Sequence, residues 1–497
     1  LQTDTGNLAR EVPRATRDQS WPSLAQNVAT IGFALYAAFA PHSIAASEIS
    51  LAIVGAGWLL RTLQTRRTGF RHSAFDLPIW LFFLWTVGSS FLSQEPRISI
   101  AKIQSTCVVL LFYLAHAVIT RRTAVWLVAL LILSASAGTL FSIYDLARGR
   151  GVLIESIATD SPLQPLHVGA GDAIWRVNGQ RVYSVADIDE LLRHAPLQSK
   201  PTVSVITHGE HLERPGLLVT EAVRTRTSPS GVTGSRATHR FRASGWTRHY
   251  ETYAEILQLL AQLALGLLLA NLKNHGLNLR ARLAAIGFGL LALGITLTAM
   301  RTVLVALVVG VCVISLRALG HRAKVLSLAG ICLLLAVGAF VVYQTRARQA
   351  LLLQDPSSVL RVEVARVGVS RLLLHPLFGH GMDAVHLHWT EWGFPGTDML
   401  HLHSTPLQLA FDRGLPALAF WLWIIWLFWR TAGRGEAALR DSSDTNRYGL
   451  LLGATGAVAG FFASSIVNYN FGDGEVALLF WWLLGIVLVL TKENQTT

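Results

Sequence analysis

The chain has 497 residues, of which 52% are hydrophobic and only 14% charged. A soluble domain carries roughly 25% charged residues, so a deficit of this size calls for a solvent other than water. The formal charge of +12 would suit a nucleic-acid partner, but the arginines stand mainly at the ends of apolar blocks, where membrane topology accounts for them, and no nucleic acid is expected. Cys107, Cys312 and Cys332 all fall inside apolar blocks and offer neither a disulfide framework nor a metal-ligand spacing.

The first 20 residues are polar, with Arg10, Arg14 and Arg17, and read as a cytoplasmic tail and not a cleavable signal. Apolar blocks near the ~20-residue length of a bilayer span then recur. They predict spans near 24–40, 43–60, 76–93, 102–120, 124–146, 253–271, 282–299, 302–316, 325–343, 413–430, 448–468 and 475–491. A single block could be a buried helix of a soluble protein; about a dozen, joined by arginine-rich links, could not. Arg61, Arg66, Arg67 and Arg71 fall in one short loop, Arg121 and Arg122 in another, and Lys273, Arg280 and Arg282 in a third. Arg317, Arg322 and Lys324, then Arg430, Arg434 and Arg440, complete the set. By the rule that short basic loops stay in the cytoplasm, both termini are expected there. The two long polar segments, 147–250 and 344–412, then share the opposite face.

The expected fold is thus an all-α polytopic membrane protein of about 12 transmembrane helices with one small α+β insertion. Its parts are a tail (1–20), helices one to five (21–146), the insertion (147–222), a Ser/Thr/Gly/Arg-rich linker (223–250), helices six to nine (251–343), a polar loop (344–412), helices ten to twelve (413–491) and a second tail (492–497).

Within the insertion, Gly151–Ile157 is β-prone, Asp160-Ser161-Pro162 and Asn178-Gly179 are turns, Val185–Arg193 is an amphipathic helix and Thr202–Thr207 a strand. The stretch GAGDAIWRVNGQRVYSVADIDELL, with its GD-x-I-x-x-V-N-G core, resembles a PDZ domain of the kind found in bacterial envelope proteases, over about 149–222. That resemblance implies a periplasmic protein partner captured by strand addition. The first strand and carboxylate loop of the pattern are compressed into Ala147–Gly151, so a structural or docking role is equally open.

The second polar segment carries His375, His380, His386, His388, His401 and His403. Histidine is the side chain whose ordinary pKa suits proton transfer near neutrality. Three readings compete: a metal site from His386-x-His388 and His401-x-His403, surface histidines at the lipid–water boundary, or a general base. No carboxylate or cysteine recurs at a diagnostic ligand spacing, so no metal is expected. Ser404-Thr405-Pro406 ahead of an apolar run reads as a helix start, which places His403 just before a helix N-terminus, where neutral imidazole and a nearby anion are favoured. His401, two residues away in an extended segment, points the same way. Arg301 sits between apolar stretches in LTLTAMRTVLVAL, and Arg361 within a helix-forming run beside Glu363. Ordinary snorkelling and a surface ion pair are their bland readings; guanidinium groups that clamp a phosphate are the functional one.

Arg301, the run D-P-S-S-V-L-R-V-E-V-A-R, then HPLFGHGMD and HLHSTPLQLAFDRGLPAL together resemble the O-antigen ligase and polymerase superfamily of bacterial envelope glycosyltransferases. The resemblance covers about 24–146 and 246–491; Ser404 departs from it by standing where Asn is usual, and the insertion is not part of the pattern. It implies an inner-membrane enzyme that needs no cofactor and transfers a glycan from a polyprenyl (undecaprenyl) diphosphate carrier to a lipid or protein acceptor at the periplasmic face. His403, or else His401, would be the base, and Arg301, Arg361 and, less directly, Arg366 would hold the diphosphate. His375, His380, Arg248 and His249 would line the substrate. A ligase, a polymerase and a protein glycosyltransferase share this donor chemistry. A transporter would instead call for internal repeats and charges at mid-membrane, and a membrane-anchored PDZ adaptor would leave the His and Arg pattern unused.

Overall fold

The computed structural model describes residues 23–149, 151–207, 210–238, 242–247, 249–320, 356–396 and 399–491. Helices α1 (Ser23–Phe39), α2 (Ile44–Thr65), α3 (Asp76–Leu92) and α4 (Pro96–Ala101) come first; a 3-10 turn over Ile103–Val109 runs into α5 (Leu110–Val118), and α6 follows (Arg121–Arg148). Starts are set by short polar side chains: Ser43 accepts from Ala46 N–H at the head of α2 and Thr120 from Thr123 N–H at the head of α6. After the insertion come α9 (Tyr250–His275), α10 (Leu279–Thr298), α11 (Arg301–Ala318), α12 (Pro356–Leu372), α13 (Ala384–Leu387), α14 (Thr405–Arg413), α15 (Leu415–Leu439), α16 (Thr445–Ser465) and α17 (Gly474–Thr491).

Among the described residues, eight helices are long and apolar enough to cross a membrane, and Leu24–Phe39, Asp76–Leu92 and Ile103–Val118 are shorter apolar helices. Each predicted span thus coincides with helical structure except 325–343, which lies outside the described residues. The span expected at 413–430 continues to Leu439, so its last turns carry Arg430 and Arg434.

Helix α9 is buried on nearly every side and is the axis of the bundle. It meets α16 through glycines. A Cβ on Gly449 would lie 2.9 Å from Leu267 Cα, and one on Gly453 2.7 Å from Leu263 Cα. Without a hydrophobic drive between helices in lipid, such side-chain-free contact is what brings two backbones together.

The bundle has two chemically different ends. At one, Arg61 donates to Ala117 O, Arg317 pairs with buried Glu436 at 2.8 Å, Arg440 reaches the same carboxylate at 3.3 Å, and Arg447 donates to Leu490 O. Arg61, Arg317 and Arg440 come from the basic clusters between apolar blocks, and Arg447 stands in the first turn of α16. At the other end lie the insertion, the loop 93–102 and residues 373–413: Gln94 and Glu95 N–H donate to Gly379 and His380 O, and His380 N–H to Phe411 O.

The insertion is an antiparallel sheet of β1 (Val152–Ile157), β2 (Ala173–Val177), β3 (Gln180–Arg181), β4 (Val203–Thr207), β5 (Glu210–Arg214) and β6 (Val232–Ala237). The order is β5-β4-β2-β1-β6, with β3 paired to β2. Helix α7 (Val185–His194), opened by a Ser184/Asp187 capping box, packs Ile188 and Leu192 into a core with Val152, Ile154, Ile174, Val177, Val203 and Val205.

The described residues of the stretch expected as a linker, 223–250, are built into the fold. A short helix, α8 (Glu221–Arg224), precedes β6, which pairs with β1 in the register Ile154↔Ser235. The physical reason is tertiary: β1 would otherwise present an unpaired edge, and β6 supplies the partner despite its weak strand sequence, VTGSRA. The segment leading to it is tied to α7, with Ser228 Oγ donating to Asp189 Oδ2 and Ser230 N–H to Asp189 Oδ1, both at 2.8 Å. Beyond β6, Ala243 N–H donates to Leu297 O and Trp246 stacks on Phe141. The sheet docks on the end of α6 through Leu146, packed with Ala173, Trp175 and Ile206, and through Arg181 and buried Asp145, 3.6 Å apart.

Candidate functional site

Residues 401–404 approach α14 as an irregular, bent segment whose burial alternates, so the extended path expected from the sequence is not adopted: Leu402 is buried among Val364, Trp389 and Phe411, while His401 and His403 are partly exposed. Ser404 is the helix cap, its Oγ accepting from Leu407 N–H at 3.4 Å, so Thr405 and Pro406 take the first two helical positions. Gln408 reaches back over this cap to accept Leu402 N–H. His403 adopts φ +52°, the left-handed region that a non-glycine residue enters only when its surroundings hold it there.

The two imidazoles touch. Their centroids are 4.5 Å apart, and His401 Nδ1 accepts the His403 N–H at 3.4 Å. A neutral His401 therefore carries its proton on Nε2. Tyr469 lies against His401 with ring centroids 5.5 Å apart.

Arg361, on α12, donates to Val467 O at 3.4 Å. Burial, and then the Arg361 charge, lower His401 to about 4. Burial, His401 and Arg361 lower His403 to about 3. Both rings are neutral at pH 7, and a cation stands close enough to both to matter electrostatically. Tyr250, at the head of α9, is within the field of the same arginine and has Arg242 over its ring at 4.5 Å.

The other sequence-selected residues are placed as follows. Arg301 is the first residue of α11 and is exposed; its neighbour Thr302 accepts from Asn468 Nδ2 at 2.9 Å. Arg366 is on the exposed side of α12 with Val362 and Val369. Five residues turn a helix through about 140° beyond a full circle, which takes it away from Arg361. His375 is exposed and rests edge-on against His380. His380 is buried, stacked on Phe411, with Nδ1 bonded to Gln94 Oε1 and Nε2 to Arg371 O; burial lowers it to about 4. Its ring thus ties the loop 93–102 to this segment. His249 precedes α9 and is exposed, and Arg248 lies outside the described residues.

His386 and His388 do not join His401 and His403 in the contacts they make. His386 bonds Asp383 O, and His388 meets Glu391 at 2.7 Å and Glu95 at 3.3 Å while stacking on Trp392. Among the described residues no group of His, Cys, Asp and Glu is arranged to hold a metal ion.

Three neighbours escaped the sequence reading. Tyr469 and Arg242 belong to segments with no motif. Asp473, ahead of α17, accepts from Thr252 Oγ1 at 2.6 Å, and burial raises it to about 6. The run NFGDGE is the one local signal that could have marked it, as a polar turn between two spans.

No curated protein matches the chain. The segment 286–422, which carries Arg301, Arg361, Arg366, His401 and His403, matches the family model described as O-Antigen ligase.

Proposed function

We propose that this chain is an inverting glycosyltransferase of the inner membrane that moves a glycan from a polyprenyl diphosphate carrier to an acceptor hydroxyl at the periplasmic face, as an O-antigen ligase does. The observation that carries the reading is the ring contact between His401 and His403, whose imidazoles feel the Arg361 charge, within the segment that matches the family model. The basic short loops at one end of the bundle support a cytoplasmic placement of that end and, with it, a periplasmic one for the histidines.

In this reaction His403 accepts the proton of the acceptor hydroxyl as its oxygen attacks the anomeric carbon. The bond from that carbon to the phosphate oxygen breaks, and polyprenyl diphosphate leaves with the electron pair. Arg361 and Arg301 neutralise the charge that grows on it. A low imidazole pKa is a poor match to proton abstraction at pH 7. The bound diphosphate offsets the smaller part of it, because an anion beside Arg361 cancels that cation's effect and favours the protonated imidazole, while burial remains the larger cause. Direct displacement inverts the anomeric configuration.

The insertion is read as a PDZ-like module. The ties from Ser228 and Ser230 to α7 favour a docking role over capture of a free peptide, since chain already crosses that helix. A polymerase or a protein glycosyltransferase would use the same donor and differ in acceptor.

The test incubates the purified chain in lipid nanodiscs with polyprenyl-diphosphate glycan and, separately, a lipid A–core, glycan or protein acceptor. Glycosylated acceptor with matching release of polyprenyl diphosphate is expected. No transfer to any acceptor would sink the reading.

A further inference from the structure

Glu255 is a buried carboxylate just inside α9, and the mechanism above gives it no task. Its oxygens accept from Asn468 Nδ2 at 3.0 Å, Ser464 Oγ at 2.8 Å and Asn470 Nδ2 at 3.4 Å. Such a group, expensive to bury and fully engaged, holds its donors in fixed places.

Those donors lead in two directions. The second hydrogen of Asn468 Nδ2 goes to Thr302 Oγ1 at 2.9 Å, directly after Arg301. The carbonyl of Asn468 accepts Thr405 N–H at 3.0 Å, and Thr405 Oγ1 lies 3.1 Å from that carbonyl and 2.9 Å from Asn470 Oδ1. Thr405 is the first residue of the helix that His403 precedes. The neighbouring carbonyl, Val467 O, receives Arg361. The segments carrying Arg301, Arg361 and His403 come from separate parts of the chain and all end on residues 467–470, which the Glu255 carboxylate fixes from below.

We propose that Glu255 is a positioning residue that holds the Arg301 and His403 segments in one register through Asn468 and Asn470. The assignment of a catalytic task to those segments rests on the glycosyl-transfer reading; the register itself does not.

Two readouts on the full chain in nanodiscs keep the two apart. Amide exchange in Glu255→Ala is expected to quicken about tenfold over 300–304 and 401–408, with the sheet of the insertion unchanged. In transfer assays kcat is expected to fall about 100-fold while the donor KM stays within about threefold. Glu255→Gln, which keeps an acceptor for Asn468, restores most of both. A role confined to holding helices together would give neither the kcat-specific loss nor local exchange at both segments. Unchanged exchange, loosening at one segment alone, loosening of the whole bundle, or an unaltered kcat in active protein overturns the proposal. A wild-type chain inert toward the donor would overturn the functional reading, and exchange would still decide the role of Glu255. Where Glu255→Ala does not fold, Asn468→Ala is read by the same criteria.

Discussion

Gln408 Oε1 accepts the N–H of Leu402 at 2.7 Å, so the first turn of α14 grips the one residue that separates His401 from His403. The other end of the same amide donates to Asp412 Oδ1 at 2.7 Å. The amide must therefore point one way, and the peptide between the two imidazoles is anchored from inside the protein. Removing Gln408 would leave a buried N–H and a buried carboxylate short of a partner, at a cost of about 1–3 kcal/mol. Gln408→Ala is expected to lower kcat by about 10- to 100-fold with little change in donor affinity, because the ring that accepts the proton is misplaced while the arginines are not. Equal loss in both quantities would argue against this account.

His403→Ala is expected to reduce kcat by about 10²–10⁴, the range of a lost general base, and His401→Ala by less. Both rings keep their neutral form far below the ordinary value of 6.5, since His401 titrates near 4 and His403 near 3. The kcat/KM of the wild type, which reports the free enzyme, should then stay level from about pH 8 down to about pH 5. An acid limb centred near 6.5 would contradict the lowered pKa of these rings. The same shifts bear on stability. His380, His401 and His403 fold with lowered pKa, so the unfolded chain takes up protons first as pH falls. Their contribution is complete above 6.5 and is lost as pH falls toward 4, which melting curves across that window would detect.

Arg361 acts twice, on the donor and on the imidazoles. Arg361→Ala should weaken donor binding by about 10- to 100-fold, as expected for loss of a charge-assisted contact, and should move the acid limb of kcat/KM upward because a cation beside both histidines is gone. Arg361→Lys keeps the charge but not the fork, so it should preserve the pH profile and still lose affinity. A pH profile that is identical in Arg361→Ala would sink the electrostatic half of the argument.

Gly453 meets Leu263 Cα where a Cβ would stand only 2.7 Å away. Gly453→Val should force α16 from α9 and lower stability in detergent by about 1–3 kcal/mol or more, read as a shift in the thermal transition. Gly289, which has open space around it, serves as the control and should accept Ala with little effect.

Much of this architecture was legible in local sequence. Runs of apolar residues gave the helices, clustered arginines gave the basic end, and Ser404-Thr405-Pro406 gave the start of α14. These signals are local because a helix satisfies its own backbone and a cap its own first turn. What escaped depends on distant partners. The strand β6 forms because β1 offers an edge, Tyr469 and Asp473 reach the site from a loop between two spans, and Glu255 acts through residues more than 200 positions away. Arg361 and Arg366 looked alike in sequence but face different ways on one helix. His380 shared the histidine-rich stretch with His403, yet its ring is engaged by Gln94 and Arg371 and stacked on Phe411.

The pairing of β1 with β6 also sets how the insertion is attached. The chain leaves α6 into β1 and returns from β6 toward α9, so entry and exit run side by side as two hydrogen-bonded strands. A module joined in this way plugs into the bundle like a two-pin connector: it demands no separation of α6 and α9 beyond the width of a hairpin. What then fixes its orientation is the side of the socket, where Leu146 and Asp145 of α6 meet the sheet and Phe141 and Leu297 receive the exit segment.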